Sequence, residues 1–188
     1  MVTPIHTPRL DLVPIPVQVV RHLFDGRRDD AQVAMGLPFP AEFPTLDDLS
    51  GFLPVQLRRM EAEPAQREWM ARFMVTRDDL QLVGHCGFHG PPATIGRAEI
   101  GYTVFTAFRG RGYAKEAAAA LVEWAFAQGQ DEVYASVAPA NAASLAVVRT
   151  LGFQHIGEQI DEVDGVELVF VARPPLTPRK SANTLNPA

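Results

Sequence analysis

The hydrophobic pattern changes its period near the middle of the chain, and this change limits the possible folds more than any other feature. Residues Arg97 to Phe105 have the pattern of a strand, whereas from Gly112 to Ala127 apolar side chains recur at every third or fourth position. Alanine, the residue with the highest helix propensity, fills much of this second segment. A strand therefore leads through a short turn into a long helix, as in domains that pack helices on a sheet.

Strands and helices follow one another along the rest of the chain. Further strands are predicted over Arg9–Ile15, Trp69–Thr76, Leu80–Phe88, Glu132–Val137, Phe153–Ile160 and Val166–Ala172. Further helices are predicted over Val17–Phe24, over Thr45–Met60 in two pieces that meet before Pro54, and over Asn141–Leu151. The order predicts an α/β domain with a mixed (α+β) sheet, in which the three strands between Trp69 and Phe105 are antiparallel.

Local signals mark several helix ends and one loop. Thr45 and Asp48 have the spacing of a capping box. Asn141 is a favourable N-cap residue, and Gly152 suits the left-handed position that ends a helix in a Schellman motif. Three prolines within residues 37–44 exclude a helix there and predict an ordered loop that could form the wall of a pocket.

Length and composition exclude several classes of protein. The 188 residues predict one domain, at roughly 150 residues per domain, which we place at 1–172 with a proline-rich, flexible tail at 173–188. The longest apolar run, Ala117–Val122, is too short to cross a membrane. A formal net charge of −5 argues against a general nucleic-acid binder. The lack of a secretory signal and the single cysteine, Cys86, predict a cytoplasmic protein.

The turn between the central strand and the long helix carries the clearest chemical signal. It reads Arg109-Gly110-Arg111-Gly112-Tyr113-Ala114. Its glycines allow backbone N–H groups to point at an anion, with the positive end of the helix dipole behind them. Arg109, Arg111 and Lys115 add local positive charge to an acidic chain, so we expect a di- or polyphosphate ligand. The alternative is an ordinary strand-to-helix turn with solvated arginines.

Two common phosphate-binding motifs do not fit this turn. The G-x-x-x-x-G-K-[ST] loop of nucleotide triphosphatases is absent from the sequence. A dinucleotide-binding fingerprint that began at Gly110 would need a small residue in place of Lys115 and a parallel βαβ unit near the N-terminus. A nicotinamide-dependent oxidoreductase is therefore kept only as a third hypothesis.

The turn and its surroundings resemble a known family. Arg109-x-x-Gly112-x-Ala114 is similar to the [Q/R]-x-x-G-x-[G/A] pyrophosphate loop of the GNAT superfamily of acetyl-CoA-dependent N-acetyltransferases. Four further blocks resemble the branch that contains ribosomal-protein-alanine N-acetyltransferases: Thr7-Pro8-Arg9-Leu10, Ala98-Glu99-Ile100-Gly101-Tyr102, Asn141-x-x-Ser144 and Leu151-Gly152-Phe153. The resemblance implies the GNAT fold, in which a mostly antiparallel sheet is splayed at the cofactor site and flanked by helices. It also implies acetyl-CoA as co-substrate, without a metal.

The resemblance implies roles for individual residues. The loop from Arg109 to Ala114 should hold the CoA pyrophosphate, mainly through backbone amides. Val104 and Phe105 should pair with the pantetheine arm as another strand would, with a backbone N–H that polarises the thioester carbonyl. Asn141 should contact the pantetheine, and Ser144 should stabilise or protonate the departing thiolate. Helix capping is the alternative role for the last two residues, and for Asn141 the two roles are compatible.

Transfer to an amine also requires a group that removes a proton. A protonated amine with a pKa near 10.4, as in lysine, cannot attack a thioester until it is deprotonated. Glu99, on the strand before the splay, is the first candidate for this base, and Glu162, near the last hairpin, is the second. Each could instead be an ordinary exposed carboxylate.

The acceptor amine stays open at this point. The branch resemblance suggests a protein N-terminal amine, but polyamines, amino acids and antibiotics are equally compatible with the residues. Acidic residues near the last hairpin would attract a cationic acceptor or only keep the hairpin soluble: Glu158, Asp161, Glu162, Asp164 and Glu167. The main alternative function is a non-catalytic CoA-binding module without a working base. We expect a monomer or a homodimer.

Overall fold

A computed structural model describes residues 2–161 and 165–174 of the chain. Within these ranges eight strands form one sheet: β1 (Ile5–His6), β2 (Leu10–Pro14), β3 (Arg72–Thr76), β4 (Leu82–Phe88), β5 (Ala98–Val104), β6 (Val133–Val137), β7 (Gln154–Asp161) and β8 (Gly165–Ala172). Their order across the sheet is β1-β2-β3-β4-β5-β6-β8-β7. Among these eight described strands, β5 and β6 pair in parallel, and every other neighbouring pair is antiparallel. The predicted mixed, mostly antiparallel sheet is confirmed.

Helices cover both faces of this sheet. They are α1 (Val17–Phe24), α2 (Arg28–Met35), α3 (Leu53–Ala62), α4 (Pro92–Ile95), α5 (Tyr113–Ala127) and α6 (Ala142–Thr150), with a π-helical turn at Asp48–Phe52 and 3-10 turns at Pro64–Trp69 and Thr106–Phe108. One buried core lies between the sheet and helices α5 and α6. A second core lies on the opposite face, against α1, α2 and α3. Alternate residues of a central strand therefore face different cores.

The predicted strand that begins at Trp69 is wrong at its start. Trp69 ends a 3-10 turn, and β3 begins at Arg72. Pro64 favours this turn because its fixed φ angle suits the first position of a helix. All residues of β3 are buried, since helices lie over both faces of the sheet here. Buried Arg72 donates hydrogen bonds to the carbonyl oxygens of Thr3 and Glu68, at 2.9 and 3.1 Å.

Strands β5 and β6 separate soon after they meet. Their register ends, within the described residues, at the pair of Glu99 and Tyr134. On the other side, β5 stays paired with β4 as far as Val104. The N–H of Phe105 donates to the carbonyl of Val83 at 3.0 Å, toward β4. Because successive peptide groups of a strand point in opposite directions, the N–H of Val104 points into the gap between β5 and β6.

Hydrogen bonds at both ends of α6 agree with its predicted caps. The side-chain oxygen of Asn141 accepts a hydrogen bond from the N–H of Ser144 at 3.1 Å. Beyond the helix, the N–H of Phe153 donates to the carbonyl of Val148 at 3.0 Å, as in a Schellman motif. These caps fix the residues at which α6 begins and ends.

Some predictions fall at the limits of the described ranges. Glu162 and Asp164 lie outside them, as does the predicted tail from residue 175 onward. Arg173, the first residue assigned to that tail, forms an ion pair with Glu132 at 2.6 Å. No helix in the described part of the chain combines the length and hydropathy of a membrane-spanning segment.

Candidate active site

A cleft of about 570 Å³ opens where β5 and β6 separate. Its volume lies within the range of small-ligand sites, about 300–1,000 Å³. It is lined by Tyr102, Thr103, Val104, Phe108, Arg109, Gly110, Gly112, Tyr113, Ala114, Lys115, Asn141, Ala143, Ser144 and Val147. The cleft thus brings together most of the residues that the sequence predicts to bind the cofactor, from three separate parts of the chain.

The glycine loop at one end of the cleft has the backbone of an anion site. Gly110 and Gly112 have positive φ angles of 76° and 82°, a conformation that residues with a side chain rarely adopt. Gly112 directly precedes α5, whose first N–H groups have no partner within the helix and lie at the positive end of its dipole. Arg109 and Lys115 border the same cleft. The loop can therefore bind a multiply charged anion.

Glu116, in the first turn of α5, ties this loop to the N-terminal segment. Its carboxylate accepts hydrogen bonds from the hydroxyl of Thr7 at 2.6 Å, the backbone N–H of Arg9 at 2.7 Å and the Arg9 guanidinium at 2.6 Å. The same guanidinium donates to the carbonyl of Arg111 at 2.9 Å and lies 5.0 Å from the ring centroid of Tyr113. Thr7 and Arg9 thus support the loop from behind, a role that the sequence analysis missed.

Two of the predicted cofactor residues point away from the cleft. The ring of Phe105 is buried in the core on the α1–α3 face, 5.0 Å from the ring of Phe43. The N–H of Phe105 is bonded toward β4. Of these two neighbouring residues, Val104 is the one that borders the cleft. The guanidinium of Arg111 lies back over the ring of Phe108, at 5.5 Å. Period-two alternation explains the first case, because adjacent strand residues face opposite sides.

Glu99, the first predicted base, lies where the two strands separate. It is buried, with 6 % of its surface exposed. Its Oε2 forms an ion pair with Arg97 at 2.7 Å, and its Oε1 accepts a hydrogen bond from the hydroxyl of Ser136. Nδ1 of the half-exposed His89 lies 3.9 Å from the same Oε1. The structure therefore holds this carboxylate in one orientation beside an accessible imidazole, which the sequence analysis did not assign to the site.

Ser144 and Tyr102 are two of the hydroxyl-bearing residues that line the cleft. Ser144 borders it from α6, in agreement with its expected position. The phenol oxygen of Tyr102 lies 3.5 Å from the carbonyl oxygen of Ser144. Burial raises the pKa of Tyr102, against a smaller opposing effect of this hydrogen bond, so the phenol keeps its proton at neutral pH. Tyr102 was missed as a site residue, although it belongs to one of the blocks that resemble the family.

Neither a reactive cysteine nor a cluster of metal ligands lies in the part of the chain that the structure describes. Burial raises the pKa of the Cys86 thiol to about 12, so it carries no charge at neutral pH. Among residues 2–161 and 165–174, no three histidine, cysteine or acidic side chains lie close enough together to hold a metal ion. Glu162, the second predicted base, is outside these ranges.

Comparisons with known sequences agree with this geometry. A family model described as an acetyltransferase (GNAT) domain matches residues 9–154. The uncharacterized N-acetyltransferase p20 of Bacillus licheniformis is 32% identical over 85 residues, which are 45% of this chain and 48% of that protein. The chain spans about half the length of the curated relatives that it matches.

Solved structures share the same architecture. An acetyltransferase from Agrobacterium tumefaciens superposes with a TM-score of 0.62 at 24% identity, over 92% of this chain and 95% of that chain. RimJ of Mycobacterium smegmatis, solved in complex with CoA-disulfide, superposes with a TM-score of 0.59 at 19% identity, over 92% and 90%. At these identities the likeness shows the fold alone. Since the family model covers most of the sequence, this chain belongs to the GNAT acetyltransferase family.

Proposed function

We propose that this protein transfers the acetyl group of acetyl-CoA directly to a primary amine. The cleft carries the proposal, because an anion-binding loop at its end continues into the unpaired edge of β5. This arrangement suits a ligand with a diphosphate and an extended arm that can pair with a strand. The related fold of RimJ, solved with CoA-disulfide, supports the choice of coenzyme.

We place CoA along the whole cleft. Its diphosphate would bind to the backbone N–H groups between Gly110 and Ala114, with Arg109 and Lys115 beside them. Its pantetheine arm would lie against the open edge of β5. The N–H of Val104 would then donate to the thioester carbonyl, and Asn141 would reach the pantetheine from α6.

Substitutions at Asn141 separate its capping role from ligand binding. Asn141→Ala should remove the bond to the N–H of Ser144 and lower the free energy of unfolding by about 1 kcal/mol. Asn141→Ser should keep most of the stability, because serine is also a good N-cap. We expect both variants to bind CoA more weakly in calorimetry. Equal CoA affinity in all three proteins would leave capping as the role of this side chain.

The reaction needs one proton acceptor and one proton donor. We assign Glu99 as the base that takes the proton of the acceptor amine, directly or through a water, with Glu162 as the second candidate. The nitrogen lone pair then forms the C–N bond, and the N–H of Val104 stabilises the oxyanion. The nitrogen loses its second proton to solvent, and Glu99 releases to solvent the proton that it took. The C–S bond breaks as the carbonyl forms again, and the thiolate takes one proton from the hydroxyl of Ser144 or Tyr102, which recovers it from solvent.

A non-catalytic CoA-binding module is the second candidate function. One observation favours it: the carboxylate of Glu99 is already engaged by Arg97 at 2.7 Å, as a purely structural carboxylate would be. Such a module would bind CoA as tightly as an enzyme does and acetylate no amine. We also propose that residues 1–172 form one domain and that the protein is a monomer or a homodimer. We place it in the cytoplasm, because its single cysteine suits a reducing compartment.

An acetylation screen with a binding control tests these proposals. The protein is incubated with acetyl-CoA and a panel of peptides, polyamines, amino acids and aminoglycosides, and acetylated products are identified by mass spectrometry. CoA at 100 times its Kd should stabilise the fold by about 2.7 kcal/mol in a thermal-shift assay, whereas NAD should not. Binding of CoA without any acetylated amine would favour the module. The absence of CoA binding would contradict both candidates, and a shift with NAD alone would restore the oxidoreductase hypothesis.

A further inference from the structure

Arg59, on α3, is a partly buried cation without a partner among residues 2–161 and 165–174. Within the described residues its guanidinium makes no hydrogen bond and no ion pair. Burial and the nearby charge of Arg58 both lower the pKa of Arg59. A cation that is partly removed from water and unpaired is costly, so a side chain in this position is suited to an anion from outside the chain.

The side chain of Arg59 lies against the residue that follows His89, and His89 neighbours the proposed base. Cδ and Nε of Arg59 are both 3.9 Å from the position that a Cβ atom on Gly90 would occupy. The preceding residue, His89, places its Nδ1 3.9 Å from the carboxylate of Glu99. The negative charge of Glu99 acts to raise the pKa of Arg59, against the larger effects of burial and of Arg58. A ligand bound to Arg59 would therefore lie next to Glu99.

The face of β5 that carries Glu99 is open beyond this point. Gly101 has no side chain there, and the ring of His89 lies over it, with Nε2 2.9 Å from its Cβ position. Thr103, the next residue on this face, is exposed. Phe52 stacks on a histidine of β4 at a centroid distance of 3.9 Å and bounds the face on the α3 side.

We propose that the acceptor is a primary amine that also bears a carboxylate, and that Arg59 binds this carboxylate next to Glu99; the inference rests on the acetyl transfer proposed above. The planar guanidinium matches the two oxygens of a carboxylate, which a lysine ammonium does not. With the carboxylate held at Arg59, the amine of an amino acid would face the base.

Charges around Glu99 favour this class of acceptor over polyamines. Arg97 already compensates Glu99 at 2.7 Å, which leaves Arg59 as additional positive charge. A polyamine would bring further like charge beside Arg59, at a cost in binding.

Matched acceptors and a matched control variant test the inference. Amino acids other than proline, aspartate and glutamate are each compared with their carboxamides, which keep the primary amine and lose the negative charge. Arg59→Gln should raise KM for the amino acids by about 10- to 100-fold and leave KM for the carboxamides unchanged. Arg59→Lys should recover only part of the loss. Arg58→Gln, which removes an exposed arginine one residue away, should change neither, and thermal melting confirms that each variant folds.

The outcomes distinguish this inference from the function on which it rests. If the wild type acetylates amines but does not prefer amino acids to carboxamides, or if Arg59→Gln affects both equally, the inference is wrong and the transferase proposal stands. If the wild type acetylates nothing, that proposal fails, and calorimetry of the amino acids with the CoA-saturated protein decides the inference. If the wild type binds amino acids and Arg59→Gln does not, the result supports the carboxylate site. If the wild type does not bind them, the inference is overturned.

Discussion

Glu99→Gln is expected to lower kcat by a factor of about 10² to 10⁴ and to leave the CoA dissociation constant unchanged. Glutamine has the shape of glutamate and can still accept a hydrogen bond from Ser136, but it cannot take a proton from an amine. Initial rates at saturating acetyl-CoA and amine give kcat, and calorimetry gives the affinity for CoA. Glu99 lies outside the residues that line the cleft, which is why binding should be preserved.

The pH profile separates a base from a structural carboxylate. As pH approaches the pKa of the amine, near 10.4 for a lysine-like acceptor, more of the amine is uncharged in solution and a base matters less. The loss of kcat in Glu99→Gln, relative to the wild type, should therefore shrink as pH rises. A loss of kcat caused by a folding defect would not depend on the protonation of the amine. Glu158→Gln, at an exposed position of β7, is the control and should keep full activity. If Glu99→Gln has the same kcat as the wild type at neutral pH, Glu99 is not the base, and Glu162 becomes the candidate.

Glu116→Gln should weaken CoA binding about 10- to 100-fold and lower the free energy of unfolding by about 1.5–3 kcal/mol at neutral pH. The change removes the negative charge to which Arg9 and Thr7 donate hydrogen bonds, and it thereby weakens the support behind the glycine loop. Calorimetry measures the affinity, and urea unfolding measures the stability. Glu123→Gln, an exposed change on the same helix, should leave both values unaltered. Unchanged CoA affinity in Glu116→Gln would contradict the role of this contact in shaping the loop.

The stability effect at Glu116 should also depend on pH. Burial alone would raise the pKa of Glu116, but hydrogen bonds from Thr7 and Arg9 outweigh burial and hold the pKa below its usual value. A carboxyl whose pKa is lower in the folded state stabilises the fold fully above its unfolded-state pKa, about 4.3, and loses this effect as pH falls through the folded-state pKa. The stability difference between wild type and Glu116→Gln should therefore narrow below about pH 4.

Features that depend on neighbours along the chain were predictable from the sequence. Thr45 and Asp48 exchange hydrogen bonds at 2.8 and 3.1 Å, as their spacing predicts. Helix α5 begins at Tyr113, within one residue of its predicted start. Helix α2 (Arg28–Met35) was not predicted, because its sequence buries only one alanine and has little apolar periodicity.

Features that depend on distant contacts were not predictable. Arg9 and Glu116 are 107 residues apart, and no local pattern pairs them. The family resemblance placed both Val104 and Phe105 in the cofactor site, but which strand residue faces the cleft depends on the register with β4. The pairing of β4 with β5 brings His89 to Glu99, and the packing of α3 on the sheet places Arg59 near Gly90, so neither residue had a local signature in the sequence.

The contact between the first strands and α5 bears on how fragments of such chains are judged. A truncated chain that began after Ile15 would retain every glycine and arginine of the phosphate loop, yet it would lack both Thr7 and Arg9, whose side chains hold that loop in place. The motif by itself is thus a poor marker of coenzyme competence in partial genes and shortened clones. The loop depends on contacts between an N-terminal segment and the middle of the chain, which meet only after folding.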